Sequence, residues 1–184
     1  MKPLHPGLIV ATLLSLSGAA TLSINAQTQQ EQGASMSSNS QAALIHRFYE
    51  VALNENRLDL LPELVSANVI NHNADGSQQI GIPALEQGIK RVQGMFSGPH
   101  FTVDDVVSNG DKAAARWTMS AKNTAPIGSI APTGKQITQR AVVFYRFEDG
   151  KIAEIWLQVD RLGVLQQIGV QIPGLPAPPV SAAR

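Results

Sequence analysis

Two turn dipeptides in the second half of the chain constrain its fold most strongly. Asn109-Gly110 and Asp149-Gly150 each separate two segments in which apolar and polar side chains alternate. This alternation is the period of a half-buried strand. Both dipeptides suit two-residue hairpin turns, because the central residues of such turns need positive φ. The sequence therefore predicts two antiparallel hairpins, with strands at residues 101–107, 112–121, 136–147 and 151–159.

Helical periodicity dominates the preceding part of the chain. Ser40 is positioned to cap a first helix, in which apolar side chains recur at helical spacing. A short second helix starts near Asp59, and a third starts around Pro83 and ends at Gly98. Helices followed by antiparallel hairpins predict an α+β fold, with the helices packed on one face of a curved antiparallel sheet.

Both ends of the chain lie outside this predicted domain. Residues 1–26 are typical of an export signal peptide, and Ile24-Asn25-Ala26 resembles a cleavage site. A retained membrane anchor is the alternative, although the apolar run is shorter than the roughly 20 residues that span a bilayer. Residues 27–39 predict a disordered linker, and residues 170–184 predict a Pro-rich disordered tail. We expect a folded domain at residues 40–169, in the periplasm or secreted.

Charge and cysteine content exclude several classes of function. The chain has 14 Lys and Arg against 14 Asp and Glu, so no binding to nucleic acid or to an anionic membrane is expected. Cysteine is absent, which excludes disulfides, thiolate nucleophiles and thiolate metal sites. His46, His72 and His100 show no metal-ligand spacing, and the chain has no glycine-rich phosphate loop. Neither a metal nor an organic cofactor is predicted.

The hairpin around Asp149-Gly150 predicts which side chains share a face of the sheet. The opposed pairs are Phe147 with Ile152, Tyr145 with Glu154, Val143 with Trp156, Ala141 with Gln158, and Gln139 with Asp160. One face then mixes large and polar side chains, which is typical of a pocket wall. Solvent exposure of that face is the alternative, and Trp156 in its middle argues against it. The face consists of Gln139, Tyr145, Glu154, Trp156, Gln158 and Asp160.

Two further side chains have two interpretations each. His72 ends a short extended segment after the second helix, where it could act as a general acid or base or be purely structural. Arg116 lies in the apolar run of residues 113–117, where a charge needs a partner or a ligand. A substrate-binding arginine and a rim arginine paired with an acid both remain open.

A resemblance to a known family rests on short segments that occur in family-like order between residues 40 and 169. The segments are Phe48-Tyr49-Glu50, Asn54, Leu58-Asp59, Leu64-Val65, Asn71-His72-Asn73, Arg116-Trp117, Ala131-Pro132-Thr133-Gly134-Lys135, residues 144–152, and Glu154-Ile155-Trp156 with the following residues to Gly169. On these segments the chain resembles the SnoaL-like polyketide cyclases and ester cyclases of the NTF2-like superfamily. The resemblance implies a cone of helices and sheet around a deep pocket.

The resemblance also implies roles for individual residues. The cyclases close a ring by intramolecular aldol condensation without a metal or an organic cofactor, and a carboxylate near the end of the last strand acts as acid and base. Asp160 matches that position, Asn71 and His72 match an Asn-His pair, and Gln139 matches the position facing the carboxylate. We expect Asp160 and His72 to be catalytic. The expected substrate-binding residues are Asn71, Arg116, Gln139, Tyr145, Trp156 and Gln158.

Two functions remain open at this point. The first is an exported enzyme of cyclase or isomerase type that performs cofactor-independent acid/base chemistry on a small hydrophobic carbonyl compound. The second is a periplasmic binding or accessory protein that uses the same pocket without catalysis. Export favours the second function, because polyketide cyclases ordinarily act in the cytoplasm beside their synthases.

The sheet face opposite the predicted pocket indicates a homodimer. An apolar stripe of this size normally marks an interface, and a two-fold contact is the commonest way to bury one. Coverage by the first helix or by the Pro-rich tail is the alternative. The predicted stripe consists of Val142, Phe144, Ile155, Leu157 and Val159.

Overall fold

The computed structural model describes residues 36–171 and 173–174. The predicted signal peptide at residues 1–26, the linker up to residue 35 and most of the predicted tail lie outside the described residues. Export and the disorder of these segments therefore stay predictions. Within the described residues, no helix is both long and apolar enough to cross a membrane.

The first helix begins earlier than predicted. Helix α1 spans Ser38–His46 and continues as a π-helix over Arg47–Leu53. Ser37, not Ser40, is the N-cap, because its Oγ accepts a hydrogen bond from the backbone N–H of Ser40 at 3.1 Å. A serine hydroxyl there satisfies one of the free amides of the first turn. The residues that this helix buries are Gln41, Ile45, Phe48, Tyr49, Ala52 and Leu53.

Short elements connect this helix to the next long helix. A 3-10 turn and the short helix α2 come first, at Leu58–Leu60 and Leu61–Leu64. Strands β1 and β2 follow, at Val65–His72 and Gln78–Ile80. Helix α3 spans Ile82–Met95, so the predicted third helix ends before Gly98 and is followed directly by a strand.

Six strands form one sheet in the order β2-β1-β6-β5-β4-β3. The four long strands are β3 at Phe96–Asn109, β4 at Lys112–Asn123, β5 at Gln136–Glu148 and β6 at Lys151–Val159. Neighbouring strands are antiparallel except β1 and β6, which run parallel. The sheet is therefore mixed, whereas the hairpins alone predicted an antiparallel one.

Both predicted hairpins form, and one has the predicted turn. Asp149 and Gly150 have φ angles of 50° and 75°, as a turn with two positive φ values requires. In the other hairpin Asn109 pairs with Lys112, so the turn residues are Gly110 and Asp111 rather than Asn109 and Gly110.

The predicted register of β5 and β6 is wrong beyond its first pair. Phe147 pairs with Ile152 as predicted, but the next pair is Arg146 with Glu154, so Ala153 is an extra residue in a β-bulge. One extra residue moves every later side chain of the strand to the opposite face. The pairs that follow are Tyr145 with Ile155, Phe144 with Trp156, Val143 with Leu157, Val142 with Gln158, and Ala141 with Val159.

The sheet consequently has two chemically different faces. The inner face carries Val143, Tyr145 and Ile155, which are buried against the helices. The outer face carries Val142, Phe144 and Trp156. Helix α4, at Arg161–Ile168, completes the domain and ends at Gly169, whose φ of 102° favours glycine. Helices packed on one face of a curved sheet confirm the predicted α+β fold.

Candidate functional site

A cavity of about 440 Å³ lies between the inner face of the sheet and the helices. The π-helical end of α1, helix α3, helix α4 and the inward side chains of β6 all contribute to its wall. A volume of this size suits a small organic ligand. The wall is mostly apolar, and its apolar members are Phe48, Leu53, Leu85, Ile89, Val92, Met95, Phe96, Phe101, Ile127, Ile155, Leu157, Val159, Val164 and Leu165.

A buried polar cluster interrupts this apolar wall. Tyr49 lines the cavity, and its hydroxyl is hydrogen-bonded to the hydroxyl of Tyr145 at 2.7 Å. Burial raises the pKa of Tyr49, while its hydrogen bonds with Tyr145 and Trp117 act in the opposite direction. Burial also raises the pKa of Tyr145, and the neighbouring Tyr49 adds to that rise. Both phenols therefore stay protonated at neutral pH and can act as hydrogen-bond donors.

Trp117 provides the third polar atom of this cluster. Its side chain lines the cavity and is only 3% exposed. Its Nε1 has no acceptor at full hydrogen-bond geometry within the described residues, although the indole lies close enough to Tyr49 to lower the pKa of that phenol. Indole N–H groups only donate, so Trp117 can support the Tyr49 oxygen as an acceptor.

Five neutral amides also line the cavity, namely Asn71, Asn73, Gln79, Gln93 and Gln139. Asn71 Nδ2 donates to Gln79 Oε1 at 2.8 Å and to Asn73 Oδ1 at 3.2 Å. Asn71 is only 6% exposed, so these two bonds fix its amide. The described residues provide no hydrogen-bond partner for the Gln139 amide, which leaves it available to a ligand.

Charged groups line the cavity only where exposure is higher. Asp75 Oδ2 lies 3.6 Å from Arg161 Nη2, and both side chains are about half exposed. Hydrogen bonds from the side chain and backbone of Ser77, aided by Arg161, lower the pKa of Asp75 from 3.8 to about 2. A carboxylate with so low a pKa is a weak base at neutral pH. Arg91 is the remaining charged residue of the wall.

Two of the predicted site residues line the cavity, and two others lie close by without lining it. Asn71 and Gln139 line it. Tyr145 lies behind Tyr49, fully buried. Asp160, the predicted acid/base, is exposed and caps helix α4, where its Oδ1 accepts from the Gly163 N–H at 2.7 Å. Its carboxylate therefore has a structural partner and lies outside the cavity wall.

The bulge at Ala153 places two other predicted residues, Trp156 and Gln158, on the outer face, and His72 of β1 lies there beside Trp156. Trp156 stacks on His72 with ring centroids 5.2 Å apart, and Gln158 is exposed. His72 Nε2 also lies 2.7 Å from Glu154 Oε1. The prediction that Trp156 and Gln158 share the pocket face with Tyr145 is therefore wrong, because the bulge reverses the alternation of β6.

Arg116 belongs to the rim rather than to the cavity. Its side chain is 58% exposed, and Nη1 lies 3.9 Å from Asp104 Oδ2. This position corresponds to the rim arginine paired with an acid, one of the two interpretations that the sequence left open. Among the described residues, no group of three or more His, Cys, Asp or Glu side chains could hold a metal ion.

Three residues of the site, Tyr49, Trp117 and Gln79, were not predicted from the sequence. The sequence indicates Tyr49 only as part of the family-like segment Phe48-Tyr49-Glu50, and its partner Tyr145 lies 96 positions away. Trp117 had a detectable signal, because strict alternation along β4 puts it on the face opposite Arg116. Gln79 lies on a three-residue strand and had no signal of its own.

An α+β domain whose helices close a mostly apolar cavity over a curved sheet is the architecture of the NTF2-like fold. The sequence matches the model of the SnoaL-like polyketide cyclase family over residues 43–168. The chain therefore belongs to the SnoaL-like polyketide cyclase family. A comparison with curated proteins found no match.

Solved structures with the same fold include TsrD from Streptomyces laurentii, at 28% identity and a TM-score of 0.66, covering 73% of this chain and 98% of that one. IdmH, a candidate polyketide cyclase from Streptomyces antibioticus, is 26% identical with a TM-score of 0.62, covering 70% of this chain and 98% of that one. A candidate SnoaL-like polyketide cyclase from Jannaschia sp. CCS1, at 15% identity, shares the fold with a TM-score of 0.66, over 73% of this chain and 95% of that one.

Proposed function

We propose that the cavity binds a small, largely apolar molecule that carries a carbonyl oxygen. The observation that supports this most directly is the Tyr49 hydroxyl, a neutral buried phenol in an apolar wall. If Tyr145 and Trp117 both donate to the Tyr49 oxygen, the proton of Tyr49 is left to donate to a ligand. A carbonyl oxygen is the acceptor that such a donor suits. The family's name supports the same choice, because polyketides are rich in carbonyl groups.

Calorimetry with 2-acetylnaphthalene tests this proposal, because that ketone is flat, apolar and carries one carbonyl. The wild-type protein should bind it with a stoichiometry of one per chain. Ile89→Trp should abolish the binding, because a larger side chain on α3 fills the cavity. Circular dichroism checks that the variant is folded. Undiminished binding by folded Ile89→Trp would contradict the proposal, since the ligand would then occupy another surface.

Catalysis on the bound carbonyl compound is a second candidate, favoured by membership of a cyclase family. In this version Asp160 acts as acid and base, and its carboxylate would have to leave the Gly163 N–H to reach a ligand. Asp75 is the carboxylate that already lines the cavity, but its low pKa makes it a weak base. The geometry therefore supports binding better than acid/base turnover. Export, predicted from residues 1–26, favours binding as well.

We also propose that two copies of the chain associate through the outer face. Val142 and Phe144 are 45% and 56% exposed there, beside the stacked rings of Trp156 and His72. Ile155, Leu157 and Val159 do not take part, because the bulge turns them towards the cavity. The apolar stripe is therefore smaller than the sequence predicted. The ion pairs of Arg146 with Glu148 and Glu154 border it.

A further inference from the structure

The cavity wall contains a pair of hydrogen-bonded amide side chains, Asn71 and Gln79, which offers a ligand one acceptor and one donor. Asn71 Nδ2 donates both of its hydrogens, one to Gln79 Oε1 and one to Asn73 Oδ1. The described residues provide no donor for Asn71 Oδ1 and no acceptor for Gln79 Nε2. The pair therefore offers one acceptor, Asn71 Oδ1, and one donor, Gln79 Nε2. Its members lie directly opposite each other on β1 and β2 and both line the cavity.

Helix α3 makes room for the Gln79 amide at Gly88. A Cβ atom at position 88 would lie 2.7 Å from Gln79 Oε1 and 2.8 Å from Gln79 Cδ, and closer still to Nε2. Gly88 also lines the cavity. Glycine inside a helix is unfavourable by up to about 1 kcal/mol relative to alanine. The amide of Gln79 thus occupies space that any other residue at position 88 would fill.

From this arrangement we infer that Gln79, held by Asn71 and seated against Gly88, determines the specificity of the pocket for a donor–acceptor group. The chemical class is a carboxamide or lactam. Its carbonyl oxygen accepts from Gln79 Nε2 in place of the Tyr49 hydroxyl, and its N–H donates to Asn71 Oδ1. A simple ketone makes only the first of these bonds and leaves Asn71 Oδ1 without a donor, which is costly in a buried site. The inference rests on the proposed binding function and refines its ligand class.

The matched ligands that test it are 2-naphthamide and 2-acetylnaphthalene, which differ only by an amide NH₂ in place of a methyl group. The wild-type protein should bind the amide at least about fivefold more tightly, the effect of one additional hydrogen bond. Gln79→Met keeps the length of the side chain without the donor and should reduce this preference to about one.

The glycines of α3 provide a second, independent arm. Gly88→Ala should displace the Gln79 amide and remove the preference, while the favourable helix propensity of alanine keeps the helix intact. Gly94→Ala is the control, because a Cβ there meets nothing within 4 Å. It should keep the wild-type preference. Equal affinity of the wild-type protein for both ligands, or an amide preference that survives in Gln79→Met, would overturn the inference. Binding of neither ligand would instead overturn the proposed function.

Discussion

The hydrogen bond between the Tyr49 and Tyr145 hydroxyls should be measurable as a coupling free energy. Tyr49→Phe removes one hydroxyl and leaves the other buried without its partner, and Tyr145→Phe does the reverse. A buried polar group left unpaired costs about 1–3 kcal/mol, so each single variant should lose about that much stability. In the double variant both hydroxyls are absent, so neither is left buried without its partner. The double variant should therefore lose less than the sum of the singles, by about 1–2 kcal/mol.

Urea unfolding followed by circular dichroism gives the four free energies of this cycle. The alkaline titration of tyrosinate absorbance adds a second readout, because the chain has 2 tyrosines and both belong to the cluster. Their pKa values are raised by burial, so stability present at neutral pH should be lost as the pH rises above about 10, where an unfolded tyrosine ionises. Tyrosinate should appear only together with unfolding. Additive single effects, or ionisation near pH 10 with the fold intact, would refute the cluster.

Three further outcomes follow from the site and the outer face. Asp160→Ala should cost about 0.5–2 kcal/mol of stability, because α4 loses its N-cap, and ligand affinity should be unchanged. If folded Asp160→Asn lost activity in a turnover assay on a candidate substrate, Asp160 would be catalytic after all. Phe144→Glu should yield a monomer by light scattering, because Phe144 is exposed on the outer face. Leu157→Glu should weaken ligand binding and leave the dimer intact, because Leu157 lines the cavity. A wild-type monomer at tens of micromolar would contradict the proposed dimer. The pKa of Asp75 is lowered to about 2, so its contribution to stability should be lost as the pH falls from about 4 towards 2. Asp75→Asn should accordingly be less stable than wild type at neutral pH and equal to it below pH 2, and a constant difference in urea unfolding across this range would count against that pKa.

The hairpin turn at Asp149-Gly150 was predictable because its geometry depends on two adjacent residues alone. The same holds for the phase of β4, where a single alternating pattern buries Trp117 and exposes Arg116. Local chemistry of this kind therefore gave the α+β class and the positions of the long strands. The parallel pairing of β1 with β6 depends on contacts between distant segments and had no local signal.

The bulge at Ala153 explains most of the errors at the site. Four apolar residues of β6 face the helices, namely Ile152, Ile155, Leu157 and Val159. The last three are two positions apart, as in a regular strand, but Ile152 is three positions before Ile155. That mismatch is the sequence signal of a bulge, and the prominence of Trp156 concealed it. Asp160 likewise had a signal for its role, because an acidic residue that immediately precedes a helix is typical of an N-cap.

The amide pair of Asn71 and Gln79 shows what the sequence could not provide. Asn71 was predicted through the family resemblance, but its partner lies on a short strand whose pairing with β1 only the structure gives. The space at Gly88 depends in turn on how α3 crosses that strand. Pocket composition is therefore set by tertiary packing, which a periodic pattern does not encode.

The position of the ligand site can be read from two proton resonances. The chain has 2 tryptophans, and the structure places them on opposite sides of the sheet, with Trp117 in the cavity wall and Trp156 on the outer face. Titration of ¹⁵N-labelled protein with 2-acetylnaphthalene should shift the indole N–H signal of Trp117 and leave that of Trp156 unchanged, with Trp156→Phe assigning the two signals. A shift of the Trp156 signal with an unperturbed Trp117 would contradict the cavity as the binding site.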